Sequence, residues 1–253
     1  MKKILFVAFM LLGINAYSQT EQADLYLEYA VIQNGKQKVG KFYKIKNEGL
    51  YFYENSDSSH VKETQEDNAY GTVYSVELKS SHEVHGMVKT NLDSEELLSS
   101  ERIFNKGEYR EFVVKEKLSN IDWKLLTDSK EIAGFKCRKA TANFKGRNYE
   151  VWYTIEIPIL MGPWKLHGLP GAIVEAYDID NYIHFSLAKV STDKQSIAHE
   201  ELNEDNAISC AEYLALKADQ GLEMSKHIQS KLPRGAQFNV TKTTNNWLEK
   251  DCN

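Results

Sequence analysis

Along most of the chain, apolar side chains recur at every second position, in short runs broken by turn residues. Leu25, Leu27, Tyr29 and Val31 alternate with Tyr26, Glu28 and Ala30, the period of a strand with one face in a core. Asn34-Gly35 follows, a dipeptide that supplies the positive φ angles of a tight hairpin turn. Residues 42–45 and 50–53 read as the next strands, and the polar residues 54–70 as an exposed loop. Alternation returns at Tyr74, Val76 and Leu78, and a further strand is expected over residues 84–88. Residues 91–101 suit a helical turn or a loop. Residues 103–104 and 109–114 flank Asn105-Lys106-Gly107 as a second hairpin.

The centre carries the clearest pattern. Tyr149, Val151, Tyr153, Ile155 and Ile157 make one apolar face, while Glu150, Trp152, Thr154 and Glu156 make a face that is polar apart from Trp152. Pro158 cannot donate to a ladder and is expected to end the strand. Met161-Gly162-Pro163-Trp164 and Gly168-Leu169-Pro170-Gly171 are two dense turn signals. Residues 172–177 and 182–190 form a hairpin across Asp178 to Asn181. Only the last quarter turns helical: Asp205 or Asn206 can cap a helix bearing Ile208, Ala211, Leu214 and Leu216, with a break expected at Gly221 and a second helical piece over residues 222–232 before Pro233. Many short strands without helical crossovers predict a mainly β (α+β) fold, with a large antiparallel, curved or bowl-like sheet and a C-terminal helical segment.

The first eighteen residues stand apart. Lys2 and Lys3 precede an apolar run from Ile4 to Ile14, and Ala16-Tyr17-Ser18 places small residues where a signal peptidase reads them. Eleven apolar residues are too few for the roughly 20 of a spanning helix. The expectation is a signal peptide over residues 1–18 and a single domain over 19–253. Without Lys2 and Lys3, 29 basic residues face 36 acidic ones, a formal charge of −7. That balance disfavours nucleic acid and anionic lipid as partners.

Cys137, Cys210 and Cys252 have no Cys-x-x-Cys spacing. In an oxidising compartment, one disulfide and one leftover thiol are expected. Cys210 with Cys252 is the preferred pair, because it would pin a tail that otherwise frays; Cys137 with Cys210 competes. Standard catalytic signatures are missing, and no motif requires a cofactor. His82 and His85 would share a face on a helix but oppose one another on a strand, so no metal site is assigned. Asp178 to Asn181 suits a hairpin turn better than a calcium loop, which needs a Gly and a distant Glu. Trp152, Trp164 and His167 are the candidate binding residues. Trp152 stands on the polar face of its strand, where it would either stack on a ligand or be covered by a second layer.

The run from Gly146-Arg147-Asn148-Tyr149 to Thr154, then Ile157-Pro158, Gly162-Pro163 and Gly168-Leu169-Pro170-Gly171-Ala172-Ile173, resembles the GLPGLI family of exported Bacteroidetes proteins. Gly134-Phe135-Lys136-Cys137-Arg138-Lys139-Ala140 fits the same pattern, and Ala172 departs from it where the family has Leu. The resemblance implies a periplasmic or secreted protein without established catalytic residues, associated with TonB-dependent outer-membrane transport. A similar region precedes some bacterial peptide:N-glycanases, which implies an accessory, glycan-related task. The residues themselves give Gly168, Leu169, Pro170 and Gly171 a structural role, as a rigid turn feeding the next strand. Two functions follow: a non-catalytic envelope module holding a glycan, peptide or amphiphile, or a secreted hydrolase using carboxylates. A pocket with two acids in different environments would favour the hydrolase.

Overall fold

The computed structural model describes residues 19–54, 61–68, 71–78, 86–199, 201–232 and 248–252. Residues 1–18, His82, His85 and most of the polar tail with Trp247 lie outside them. The first half contributes β1 (Gln19–Ala23), β2 (Leu25–Gln33), β3 (Lys36–Ile45), β4 (Glu48–Glu54), β5 (Val61–Asn68), β6 (Gly71–Leu78), β7 (Val88–Asn91) and β8 (Glu96–Asn105). The second half contributes β9 (Glu108–Lys117), β10 (Lys124–Ile132), β11 (Phe135–Phe144), β12 (Arg147–Thr154), β13 (Ala172–Asp178), β14 (Ile183–Ser191), β15 (Gln195–His199) and β16 (Ile208–Ser209). One helix, α1 (Cys210–Lys231), follows.

Twelve strands form one sheet in the order β10-β11-β12-β13-β14-β2-β3-β4-β7-β8-β9-β16. It is antiparallel except where β16 runs parallel to β9. β1 pairs with β15, and β5 with β6. Four hairpins turn on an X-Gly pair with both residues at positive φ: Asn34-Gly35, Lys106-Gly107, Ala133-Gly134 and Lys145-Gly146. That geometry matches the right-handed twist of the flanking strands.

The sheet is strongly curved, and a distance argument shows it. β12 and β9 stand eight strand steps apart in the sheet, so a flat sheet would separate them by roughly 38 Å at about 4.8 Å per step. Yet the ammonium of Lys145, at the β11–β12 turn, binds the carboxylate of Glu116 on β9. Two side chains cannot span such a gap, so the sheet bends back on itself. The main core fills the concavity: Tyr29, Phe42, Tyr51, Tyr149, Val151, Ile173 and Phe185 are among its buried members.

Several elements differ from the sequence reading. β5 crosses the polar stretch expected to be a loop and pairs with β6 through eight residues; the ladder is made of main-chain groups, which side-chain polarity does not report. β8 replaces the helical turn or loop expected before residue 101. Leu97, Leu98, Ser99 and Ser100 are all buried, and a strand covered on both faces shows no alternation. β12 stops at Thr154, where it pairs with Ala172; its neighbour β13 starts only there, so no partner continues to Pro158. The helix is capped by Ser209, not Asp205 or Asn206, through a box in which Ser209 and Glu212 bond each other's backbone. Gly221 does not interrupt it, since α1 runs through to Lys231.

The Gly168-Leu169-Pro170-Gly171 segment brings residues 160–168 back onto the end of β12. Gly168 N–H donates to Leu160 C=O at 2.7 Å, and Gly168 has φ +88°. At Gly171 the constraint is space: a Cβ there would lie 2.0 Å from the Thr154 carbonyl oxygen, against the main chain of β12. Leu169 is fully buried. The two glycines therefore answer different demands, and their alanine variants should differ. Gly168→Ala is expected to cost about 1 kcal/mol, from its backbone angle alone. Gly171→Ala should cost about 3 kcal/mol or more, because backbone must move. Urea unfolding of the two variants checks the order, and equal losses would contradict it.

Candidate functional site

The curved sheet, α1 and the C-terminal segment enclose a pocket of about 240 Å³. α1 presents Tyr213, Lys217 and Gln220 to it, spaced i, i+4, i+7 and so on one helical face. Lys38 comes from β3, Tyr53 from β4, Glu101 from β8 and Tyr182 from the β13–β14 hairpin; Leu248 and Glu249 come from the tail. Trp164 completes the wall. It stands in a turn closed by Leu166 N–H donating to Pro163 C=O, with Gly162 N–H donating to Leu166 C=O. Its φ is +54°, a conformation that costs a bulky residue on the order of 1–2 kcal/mol and persists only when the surroundings impose it.

Behind the pocket lies a buried ion cluster. Lys165 Nζ, fully buried, bonds Glu116 Oε1 at 2.5 Å and Glu249 Oε1 at 2.7 Å. Lys145 binds the other oxygen of Glu116 and donates to Cys252 C=O at 3.1 Å. Arg147 donates from Nε to Leu248 C=O at 2.9 Å and pairs with Asp178 at 2.6 Å. A disulfide joins Cys252 to Cys210, the first residue of α1. With Lys250 paired to Asp180 at 3.3 Å, the tail is held by two backbone-directed cations, two ion pairs and one covalent bond. Burial works against the Lys165 charge, but Glu249, Glu116 and Glu101 outweigh it and hold its pKa above the usual lysine range. Burial likewise pushes the Glu116 carboxyl up, and Lys165 and Lys145 overcome it, leaving the pKa below the usual value. Glu116, Cys210 and Glu249 lie close enough to suggest a metal, but the cysteine is in a disulfide and both carboxylates already hold ammonium groups.

The pocket lining carries more basic than acidic side chains, Lys36, Lys38 and Lys217 against Glu101 and Glu249. Among the described residues, Glu249 Oε2 and Gln220 Oε1 are buried without a hydrogen bond, a condition that costs about 1–3 kcal/mol per group. These atoms expose almost no surface, so they lie beneath the pocket wall and not on it. Glu101 accepts a hydrogen bond from the Tyr213 hydroxyl at 3.2 Å. Burial and then the neighbouring Glu249 charge push its pKa up to about 7, against the pull of Lys165 and Lys217.

The sequence-derived candidates separate. Trp164 lines the pocket. His167 does not: its Nδ1 lies 2.8 Å from Lys165 C=O and its Nε2 2.8 Å from Ser119 C=O, so it braces the loop that carries Trp164. Trp152 is also elsewhere, buried beneath Lys130, whose Nζ is 4.2 Å from its ring centre, and Lys139. Cys137 is a buried thiol. Asp178 forms a turn, accepting from the Tyr182 and Ile183 amides. Glu101, Tyr213, Gln220 and Glu249 were not singled out from sequence. Only the helical spacing of Tyr213, Lys217 and Gln220 carried a signal for them.

The family described as N-glycanase peptide, N-terminal domain (the PNGase F-II N-terminal domain) matches residues 53–219, and the chain belongs to it. Two crystal forms of PNGF-II are similar to it in structure. Their TM-scores are 0.49 and 0.47, with 14% and 16% identity over 79% of this chain and 33% and 32% of theirs. The chain therefore spans about a third of the length of those structures. Comparison with curated proteins returns no match.

The Glu101 carboxyl gives the fold a pH signature. Between its ordinary value of 4.5 and about 7, the unfolded chain releases a proton that the folded chain keeps, so this group's contribution to stability falls as pH rises. Above about 7 both states are ionised and the full cost of the buried charge remains. Glu101→Gln should therefore gain on the parent between pH 5 and pH 8 in urea unfolding. An offset that is the same at both pH values would contradict this placement of the proton.

Proposed function

We propose that the protein is an exported, non-catalytic binding module of the bacterial envelope whose ligand is a glycan. The observation that carries this reading is the pocket beside Trp164, in which the aromatic rings of Tyr53, Trp164, Tyr182 and Tyr213 meet the polar side chains of Gln33, Lys38, Glu101, Lys217 and Gln220. Carbohydrates present both a C–H face for an aromatic ring and hydroxyls for fixed polar groups. Membership of a family described by an N-glycanase N-terminal domain supports a glycan-related role. Export is supported by the basic and apolar start that ends at Ala16-Tyr17-Ser18. Among the described residues, no helix is long and apolar enough to cross a membrane. The GLPGLI resemblance adds the proposal that the module works beside TonB-dependent outer-membrane transport.

One observation favours a second reading, a carboxylate hydrolase. Glu101 and Glu249 line the same pocket in different environments: Glu101 is pushed up to about 7, and Glu249 is paired with Lys165. Two acids in different environments are what glycoside cleavage uses. Against it, Glu249 is tied into a structural ion cluster that fixes the tail.

Incubation of the pure protein with glycopeptides and with aryl glycosides separates the two. The module reading expects retention of glycopeptide without release of product. Turnover abolished by Glu101→Gln, with the melting temperature kept, would replace it with the hydrolase.

A further inference from the structure

The pocket carries positive charge that its own residues leave unanswered. Behind it, Lys145 and Lys165 balance Glu116 and Glu249 two against two, so the Glu249 charge is already compensated. What remains at the wall is Lys36, Lys38 and Lys217 against Glu101. Glu101 offsets little of that, because it is held by the Tyr213 hydroxyl and burial pushes its pKa up to about 7. Lys38 Nζ lies 3.1 Å from Gln33 Oε1 and 4.8 Å from the Tyr53 ring centre. Lys217 Nζ lies 5.8 Å from the Tyr213 ring centre. Among the described residues, neither lysine has a carboxylate partner. Lys36 stands two positions from Lys38 on β3 and so shares its face of the strand. Burial, and then the Lys36 charge, hold the Lys38 pKa below the usual lysine range, as expected for a cation seated without an anion.

We propose that this pocket takes the anionic group of an acidic sugar, a carboxylate or a sulfate, held by Lys38 and Lys217. The proposal rests on the glycan-binding reading and adds the charge of what is bound. An anion at Lys38 offsets both the repulsion from Lys36 and the burial of the ammonium, whereas an uncharged sugar leaves them as they are. A lysine ammonium is a compact point charge that does not read planar geometry, so both kinds of anion suit it. The pocket is open to solvent, and the acidic sugar can be one residue of a longer glycan.

Three sugars with the same ring test it: methyl glucoside, methyl glucuronoside and methyl glucoside 6-sulfate, with sodium acetate as a free anion. Titration followed by NMR of the assigned Trp164 indole and Gln33 side-chain amide reports both affinity and place. The acidic sugars should shift both signals saturably and bind at least about tenfold more tightly than the glucoside at low salt. High salt should narrow that preference. Lys38→Gln and Lys217→Gln should each narrow it too, with the melting temperature kept. Binding of only one acidic sugar supports the proposal and names the group. Equal binding of the glucoside at Trp164, or a preference that survives in both lysine variants, would overturn the proposal and leave the glycan reading standing. Acetate binding as tightly as the glucuronoside would overturn the sugar as the occupant. No shift with any probe would overturn the proposal, while retention of glycopeptide decides separately the reading it rests on.

Discussion

Lys165 is buried without access to water, and everything that shapes the site converges on its ammonium. Its two partners come from distant parts of the chain: Glu116 from β9, near one edge of the twelve-stranded sheet, and Glu249 from the tail. Lys145 extends the cluster to the β11–β12 turn, near the opposite edge. An isolated buried charge would cost several kcal/mol, and the cluster is tolerable only when all members are in place. This makes the curvature an all-or-none property: opening the sheet would strand Lys165, Glu116 and Glu249 together. The disulfide between Cys210 and Cys252 closes a segment 42 residues apart in sequence. It adds on the order of 3–4 kcal/mol through the unfolded state.

The glycine motif acts through the same centre. Gly168 and Gly171 let residues 160–168 fold back against β12, and that loop carries Trp164 and Lys165 side by side. Trp164 faces the pocket in a left-handed conformation, and Lys165 turns into the cluster. Strain at the tryptophan and burial of the lysine are held by one short turn, with His167 bracing it from behind through two carbonyl contacts. A motif that reads as scaffold in sequence therefore positions a wall of the candidate site without touching a ligand itself.

What was legible in the sequence follows from which forces leave a periodic trace. Strands with a wet face, such as β2, show alternation, and Asn34-Gly35 announces its hairpin through the angles it permits. β8 was hidden because both its faces are buried. The Ser209–Glu212 capping box was present as Ser-x-x-Glu, yet two acidic residues upstream looked like better caps. The site itself was largely silent. Glu101, Lys165 and Glu249 look in sequence like ordinary surface charges, and only the bending of the sheet brings them together. Trp164 was visible as an aromatic in a turn, whereas Trp152, equally conspicuous, is covered by two lysines on another part of the sheet.

The account stands or falls on whether Lys165 and Glu249 act as one unit that ties the tail to the curved sheet. The most direct measurement is a double-mutant cycle on unfolding free energy with Lys165→Met, Glu249→Gln and the combination. Each single change leaves a buried charge or its partners uncompensated, at a cost of about 3–5 kcal/mol for breaking such a pair. The double variant should then lose far less than the sum, with a coupling of about 1–3 kcal/mol. Losses that add to within about 0.5 kcal/mol would contradict the account, because residues that do not interact behave that way.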